Sequence, residues 1–230
     1  MNDLLENPVY NALMTGDRHL SAGNGRVKYF DEEVSPFAGF EEGYEKGFSE
    51  LHDLLPPGRK ILYAIPFAIV PPAGWELVIE IGGLQFIYEG PIPPRQEYPG
   101  IVSLTSLHSE EMVQLAKLTK PGPFATRTIE FGSYFGIFEK DKLVAMTGQR
   151  LHVENSTEIS AVCTHPDHLG KGYAHSLLLH QLDIILRQGQ RPFLHVREDN
   201  ERAIAIYLQL GFNISRPMHF YFLKREESIK

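Results

Sequence analysis

The chain has 230 residues and a formal net charge of −7, with 43% hydrophobic and 22% charged residues, so it can bury a substantial core without disulfides or structural metal. Its single cysteine, Cys163, excludes an internal disulfide framework and suits a reducing compartment. No run of Lys or Arg is long enough to track a phosphate backbone, which argues against a nucleic-acid partner. The N-terminus MNDLLENPVY lacks a basic start followed by an apolar run. The most apolar stretch, ILYAIPFAIV at 61–70, is about half the length of a membrane helix and contains proline. A cytoplasmic protein with no membrane partner is expected.

In chain order, the pattern predicts a helix over about 8–20, a strand at 26–30, a helix over about 41–55 and strands near 60–65 and 75–88. Gly and Pro clusters punctuate them at 23–25, 56–58 and 71–74, and GPIPPRQEYPG at 90–100 reads as a connector. This half shows no repeat and no catalytic constellation. Residues 1–100 are expected to form a smaller, non-catalytic α/β companion domain, and 101–230 the catalytic one.

From 101 the pattern is more regular. IVSLT is a strand, and SEEMVQLAKLT a helix capped by Ser109, with Met112, Val113, Leu115, Ala116 and Leu118 on a helical repeat. SYFGIFEKDKLVAMTGQRL predicts two strands joined by a tight turn at 139–142. TEISAVCT at 157–164 is a strand, followed by the turn HPDHLGKG and a helix from Gly172 to about Gln188. Ala174, Leu178, Leu182 and Ile185 form its apolar stripe, and Gly189 stops it. PFLHV at 192–196 is a strand, DNERAIAIYLQLG a helix stopped by Gly211, and FNISRP and MHFYFLK two closing strands.

The chemistry concentrates in strand, glycine turn and helix: EISAVCT, HPDHL, GKGYAHSLLL. Gly170 and Gly172 let backbone approach a ligand closely, and the free N–H groups and dipole of the following helix favour a pyrophosphate. A Walker A loop fails here, because His165 stands where its first glycine belongs and Gly172 where Ser or Thr belongs. A dinucleotide fingerprint fails because His175 replaces its third glycine.

Residues 101–230 resemble a GNAT-superfamily acetyltransferase. The signature Arg/Gln-x-x-Gly-x-Gly/Ala falls on Leu169-Gly170-Lys171-Gly172-Tyr173-Ala174, departing at Leu169, and AVCTHPD and REDN…AIAIYLQLGF are also typical. The resemblance implies a mixed, mostly antiparallel sheet flanked by helices, acetyl-CoA as cosubstrate, no metal, and direct transfer to the primary amine of a small molecule. It implies that strands 157–164 and 192–196 splay to admit the pantetheine arm. Backbone groups of Ala161, Val162 and Thr164 would face it, and the N–H near Val162 or Cys163 would meet the developing oxyanion. Glu158 is the candidate general base and Tyr207 the candidate acid for the departing thiolate, with Asn200 on the arm. Residues 1–100 resemble the companion half of glycine N-acyltransferase-like members. A coenzyme-binding module without catalysis and an enzyme acting on protein amines remain open, as does a homodimer.

Three features are set aside. Alternation puts Cys163 with Ile159 and Ala161 facing core, so it is read as a buried thiol and not an acyl carrier. The histidines lack metal-ligand spacing, His175 and His180 being five apart. His195, inside a strand, is read as a hydrogen-bonded interior residue.

Overall fold

The computed structural model describes residues 3–94 and 98–227. The helices are α1 (Pro8–Met14), α2 (Gly47–Leu54), α3 (Ser109–Thr119), α4 (Tyr173–Arg187) and α5 (Glu201–Gln209). The strands are β1 (Ser21–Gly23), β2 (Val27–Phe30), β3 (Ala38–Phe40), β4 (Lys60–Ile65), β5 (Trp75–Tyr88), β6 (Ile101–Ser103), β7 (Phe135–Glu139), β8 (Lys142–Val153), β9 (Ser156–Thr164), β10 (Arg191–Arg197) and β11 (Phe212–Arg225). β1–β3 make a small antiparallel sheet. The others form one eight-stranded sheet in the order β4-β11-β5-β10-β9-β8-β7-β6, in which only β9 and β10 run parallel. No helix of the described residues is long and apolar enough to cross a membrane.

The sheet does not divide at residue 100. β5 lies between β10 and β11, so strands from both sides of that position share one hydrogen-bonded ladder. Part of the expected connector, 95–97, lies outside the described residues.

Helices cover both faces. Neighbouring residues on a strand point opposite ways. Met146 packs with Met112 and Leu115 of α3 and with Val9 and Leu13 of α1, whereas Ala145 packs with Leu177 of α4. β8 is therefore buried nearly throughout, its polar Thr147, Gln149 and Arg150 included. On α4, Leu177, Leu178, Leu182 and Ile185 are fully buried, each contributing about 1.5–3 kcal/mol relative to exposure.

Several local expectations are corrected by tertiary contacts. The first helix stops at Met14, because the chain turns onto β8: Gly16 N–H donates to the His152 carbonyl (3.1 Å), and Asp17 accepts from His152 N (2.9 Å). The second helix begins only at Gly47, residues 41–46 forming turns closed by Tyr44 N to Glu41 O (3.1 Å) and Gly47 N to Tyr44 O (3.0 Å). Ser109 is not a cap, since a short 3-10 helix, Ser106–His108, precedes α3 and is capped by Thr105. The two closing strands are one, β11, with a bulge between Ile214 and Arg216. Pro217 is tolerated there because β11 pairs with β4 only from His219 onward, so proline's missing N–H interrupts no second ladder. The hairpin turn is as expected: Lys140 and Asp141 both have positive φ (49° and 62°), the conformation of a tight two-residue hairpin.

Candidate active site

Two irregularities in β9 create the site. First, β9 and β10 pair only at Arg191–Ser156, Pro192–Thr157 and Phe193–Glu158, after which they diverge. Backbone groups from Ile159 to Thr164 on one side and Leu194 to Arg197 on the other thus flank a V-shaped opening. Second, the β8–β9 register jumps between Met146–Cys163 and Gly148–Ser160, leaving Thr147 opposite both Ala161 and Val162. This bulge holds Ala161 at φ 53°, a strained conformation for a residue with a side chain. It also shifts the side-chain alternation. Ile159 packs in the α4–α5 core, whereas Ala161 and Cys163 pack in the α1–α3 core, so the expected grouping of all three fails. Thr164 Oγ1 is buried without a partner among the described residues.

Beyond β9 the chain enters the turn His165–Gly172. His165 Nδ1 accepts from Asp167 N (3.2 Å), which marks it as a turn-former. Gly170 (φ 79°) and Gly172 (φ 80°) are left-handed, and a Cβ built on either meets nothing within 4 Å. Gly172 is the N-cap of α4 and offers no side-chain cap, so the first N–H groups of a 15-residue helix open onto free space. Leu169, 47% exposed, follows a 3-10 turn. Lys171 turns away from the opening: its Nζ pairs with Glu139 (2.8 Å), which also accepts from Tyr173 OH. Those bonds hold the half-buried Glu139 carboxyl down at about 2. Backbone amides, with the Lys171 charge matched by Glu139, thus define the turn.

Glu158 is not placed as a general base. Its side chain is fully buried, and Arg150 grips it in two bonds, Nε to Oε2 (2.8 Å) and Nη2 to Oε1 (2.7 Å). His195 Nδ1 also meets Oε1 (2.8 Å). Burial pushes the carboxyl pKa up, but Arg150 and then His195 outweigh it, so the group is held at about 2. A carboxylate so placed has little affinity for a proton. The tautomer of His195 follows from its other side. Gln85 Nε2 donates to Leu5 O (2.8 Å) and lies 3.1 Å from His195 Nε2, so Nε2 accepts and Nδ1 donates to Glu158. His195 is the hydrogen-bonded interior residue expected. The chain Arg150–Glu158–His195–Gln85–Leu5 O ties β8, β9, β10 and β5 to the N-terminal segment.

Arg150 also reaches a small cavity of about 10 Å³ beside the bulge, lined by Phe124, Thr128, Tyr134, Ser160 and Ala161 among others. Its guanidinium lies 4.8 Å over the Phe37 ring. Tyr134 is seated there because residue 148 is glycine: a Cβ would fall 2.1 Å from the tyrosine ring. The loop 121–124 roofs the cavity and is anchored from residues 31–34, Arg127 N–H donating to Glu33 O (2.9 Å) and Thr128 Oγ1 to Val34 O (2.7 Å).

The chain as a whole has counterparts among known proteins. A family model described as FR47-like protein matches residues 134–221. A solved structure from Novosphingobium aromaticivorans, assigned to the GNAT family of acetyltransferases, is 32% identical, with a TM-score of 0.91 over 98% of this chain and 100% of that one. The chain belongs to the GNAT family. It is an acyltransferase by that membership. Two more distant structures share the fold: a GCN5-related N-acetyltransferase from Kribbella flavida (14% identity, TM-score 0.62, 95% of each chain) and a Drosophila protein (13%, 0.67, 98% and 91%). Among curated proteins none matches.

Against the GNAT pattern, the remaining residues fall as follows. Asn200 caps α5, its Oδ1 accepting from Ala203 N (3.2 Å), so only its amide nitrogen is left for a ligand. Tyr207 is buried in the cluster that holds Ile159 and Val162, edge-on to Phe86 (5.9 Å) and Phe212 (6.0 Å). Burial pushes its phenol up to about 12, so it stays protonated and able to donate. Cys163 is buried in the α1–α3 core and burial raises its thiol to about 11, which suppresses the nucleophilic thiolate. Iodoacetamide at pH 8 is therefore expected to leave the folded protein unlabelled, and Cys163→Ala to keep its turnover; rapid labelling of the native state would contradict this.

Arg150, Tyr134 and Ser160 were not singled out by sequence. A signal existed for the first: Arg150 and Glu158 stand almost symmetrically about the turn at 154–155, opposite charges on two strands of one expected antiparallel pair.

Proposed function

We propose that the protein transfers an acetyl group from acetyl-CoA to the primary amine of a small molecule, directly, in a ternary complex. The observation that carries this reading is the opening between β9 and β10, which leads onto the uncapped N-terminus of α4. The residues fit the coenzyme. Space at Gly170 and Gly172 would be filled by any other residue, and the α4 amides offer donors and positive potential to a pyrophosphate. The unpaired edges of 159–164 and 194–197 suit a pantetheine arm with its two amide groups. When bound, the coenzyme supplies an activated thioester.

The protein's own residues do the rest. The turn at 169–174 holds the phosphates through backbone N–H groups, and Asn200 contributes its amide nitrogen to the arm. The bulge at Ala161 and Val162 takes backbone out of the ladder, leaving N–H groups for the acyl oxygen where negative charge develops. Tyr207, protonated, donates to the leaving sulfur. With Glu158 locked, the amine enters already neutral, having released one proton to water, and the second proton it sheds on forming the amide passes through water to restore the Tyr207 phenol. The lone buried thiol accords with a cytoplasmic setting.

Calorimetric titration with acetyl-CoA tests this: micromolar affinity, about −8 kcal/mol, is expected, followed by amine-dependent thiol release. No binding would remove the reading. Tyr207→Phe is expected to lower kcat about ten-fold with KM for acetyl-CoA nearly unchanged, the low side for acid catalysis because a thiolate also leaves unaided. An unchanged kcat would reduce Tyr207 to packing.

A further inference from the structure

We infer that Glu139 is a positioning residue for the coenzyme: it staples the glycine turn at 169–174 into its binding conformation without touching the coenzyme. This rests on the acetyl-CoA reading above and names what holds that turn. The placement follows from the strand period. Residues 135, 137 and 139 of β7 share one face. Phe135 and Ile137 pack there with Leu177 and Tyr173 of α4, so Glu139, the last residue of β7, lies over the start of that helix. Its carboxylate gathers three side chains from the turn and its flanks. Lys171 Nζ donates to both oxygens (2.8 and 3.1 Å), Tyr173 OH donates to Oε1, and His168 Nδ1 lies 3.4 Å from Oε2. The other end of the turn is tied to the same hairpin. His165 N–H donates to the Val144 carbonyl (2.7 Å), at the bulge where β8 has one residue more than β7.

These ties matter because the backbone between them is loose. Gly170 and Gly172 have no side chain to limit them, and nothing lies within 4 Å of where a Cβ would stand, so packing does not hold the turn. Ordering a free glycine turn on binding costs entropy, and a turn already held costs less. The competing arrangement is Lys171 as a direct phosphate ligand. The geometry opposes it: the ammonium is committed to Glu139 and lies 5.7 Å from the centre of the Tyr173 ring. Glu139 takes side-chain donors only, so the first N–H groups of α4 remain for the pyrophosphate. A bare carboxylate there would repel a pyrophosphate. With Lys171 bound to it the formal charges cancel, and what the pair contributes is order.

The test is calorimetric titration with acetyl-CoA, paired with steady-state rates. Glu139→Ala is expected to weaken binding about ten-fold and to raise KM for acetyl-CoA to match, with kcat unchanged. Glu139→Gln, which keeps an acceptor for Tyr173 OH, should lose less. Lys171→Met should lose several-fold, and the double variant Glu139→Ala/Lys171→Met should bind no more weakly than Glu139→Ala alone, since both changes break one staple. Tm should move little in each, because exposed pairs add little stability. Affinity in Glu139→Ala equal to or above the wild type would overturn the inference, the freed lysine then being the phosphate ligand. Additive losses in the double variant would overturn it as well, by giving Lys171 a contact of its own. If the wild type binds no acetyl-CoA, the coenzyme reading falls and the inference with it; a binding wild type with an indifferent Glu139→Ala removes the inference alone.

Discussion

Gly172→Glu is expected to weaken acetyl-CoA binding by at least about a hundred-fold, roughly 2.7 kcal/mol, while the protein remains folded. Gly172 has φ 80°, so any side chain there adds backbone strain of about 1–2 kcal/mol. In a chain of this size that lowers Tm by only a few degrees. The loss of binding comes from elsewhere. A Cβ at this position enters open space, so the new carboxylate occupies the room in front of the α4 amides and satisfies them itself. It also sets a like charge against the pyrophosphate. Gly172→Ala separates the effects, since it carries the strain without the charge and should lose far less affinity. Calorimetry on both variants decides, and wild-type affinity in Gly172→Glu would remove the turn as the coenzyme site.

Glu158→Gln is expected to act first on stability. It leaves Arg150 buried without its counter-charge, a loss of about 3–5 kcal/mol, and a Tm lower by on the order of 10 °C. The pH dependence has a definite sign. The folded-state pKa of Glu158 is depressed to about 2, against about 4.3 in the unfolded chain. Its contribution is therefore complete above about pH 4.3 and is lost as pH falls toward 2. The wild type should lose stability across that window more steeply than the variant, as denaturant melts at a series of pH values would show. The rate profile is expected to have no Glu158 break: between pH 6 and 9, kcat/KM should rise with the acceptor's own neutral fraction in both proteins. A variant with wild-type Tm that has lost a rate limb near neutrality would restore Glu158 as the base. The double variant Arg150→Met/Glu158→Leu should recover part of the lost stability, and not all, because His195 Nδ1–H is left without its acceptor.

Much of the C-terminal half was legible because its signals are local. The glycines at 170 and 172, the apolar stripe of α4 and the hairpin turn at 139–142 each depend on residues within a few positions, so spacing and residue type sufficed. The splay of β9 from β10 was implied by family resemblance, and their pairing ends at Phe193–Glu158. The first helix was cut shorter than its pattern, because Asp17 and Gly16 are bound to β8, far along the chain.

Sequence alone determined the order of the five helices and of most strands, the glycine turn that opens α4, and the interior placement of Cys163 and His195. Only the tertiary structure decided which strands share a sheet, and that β5 inserts between β10 and β11. It alone placed Glu158 in the grip of Arg150 and His195, where alternation by itself left a strand glutamate free to act. It also exposed the bulge at Ala161, which reverses the facing of Ala161 and Cys163 relative to Ile159. The reason is the same in each case: register, bulges and charge pairing across strands are set by residues distant in sequence, which composition and periodicity cannot bring together.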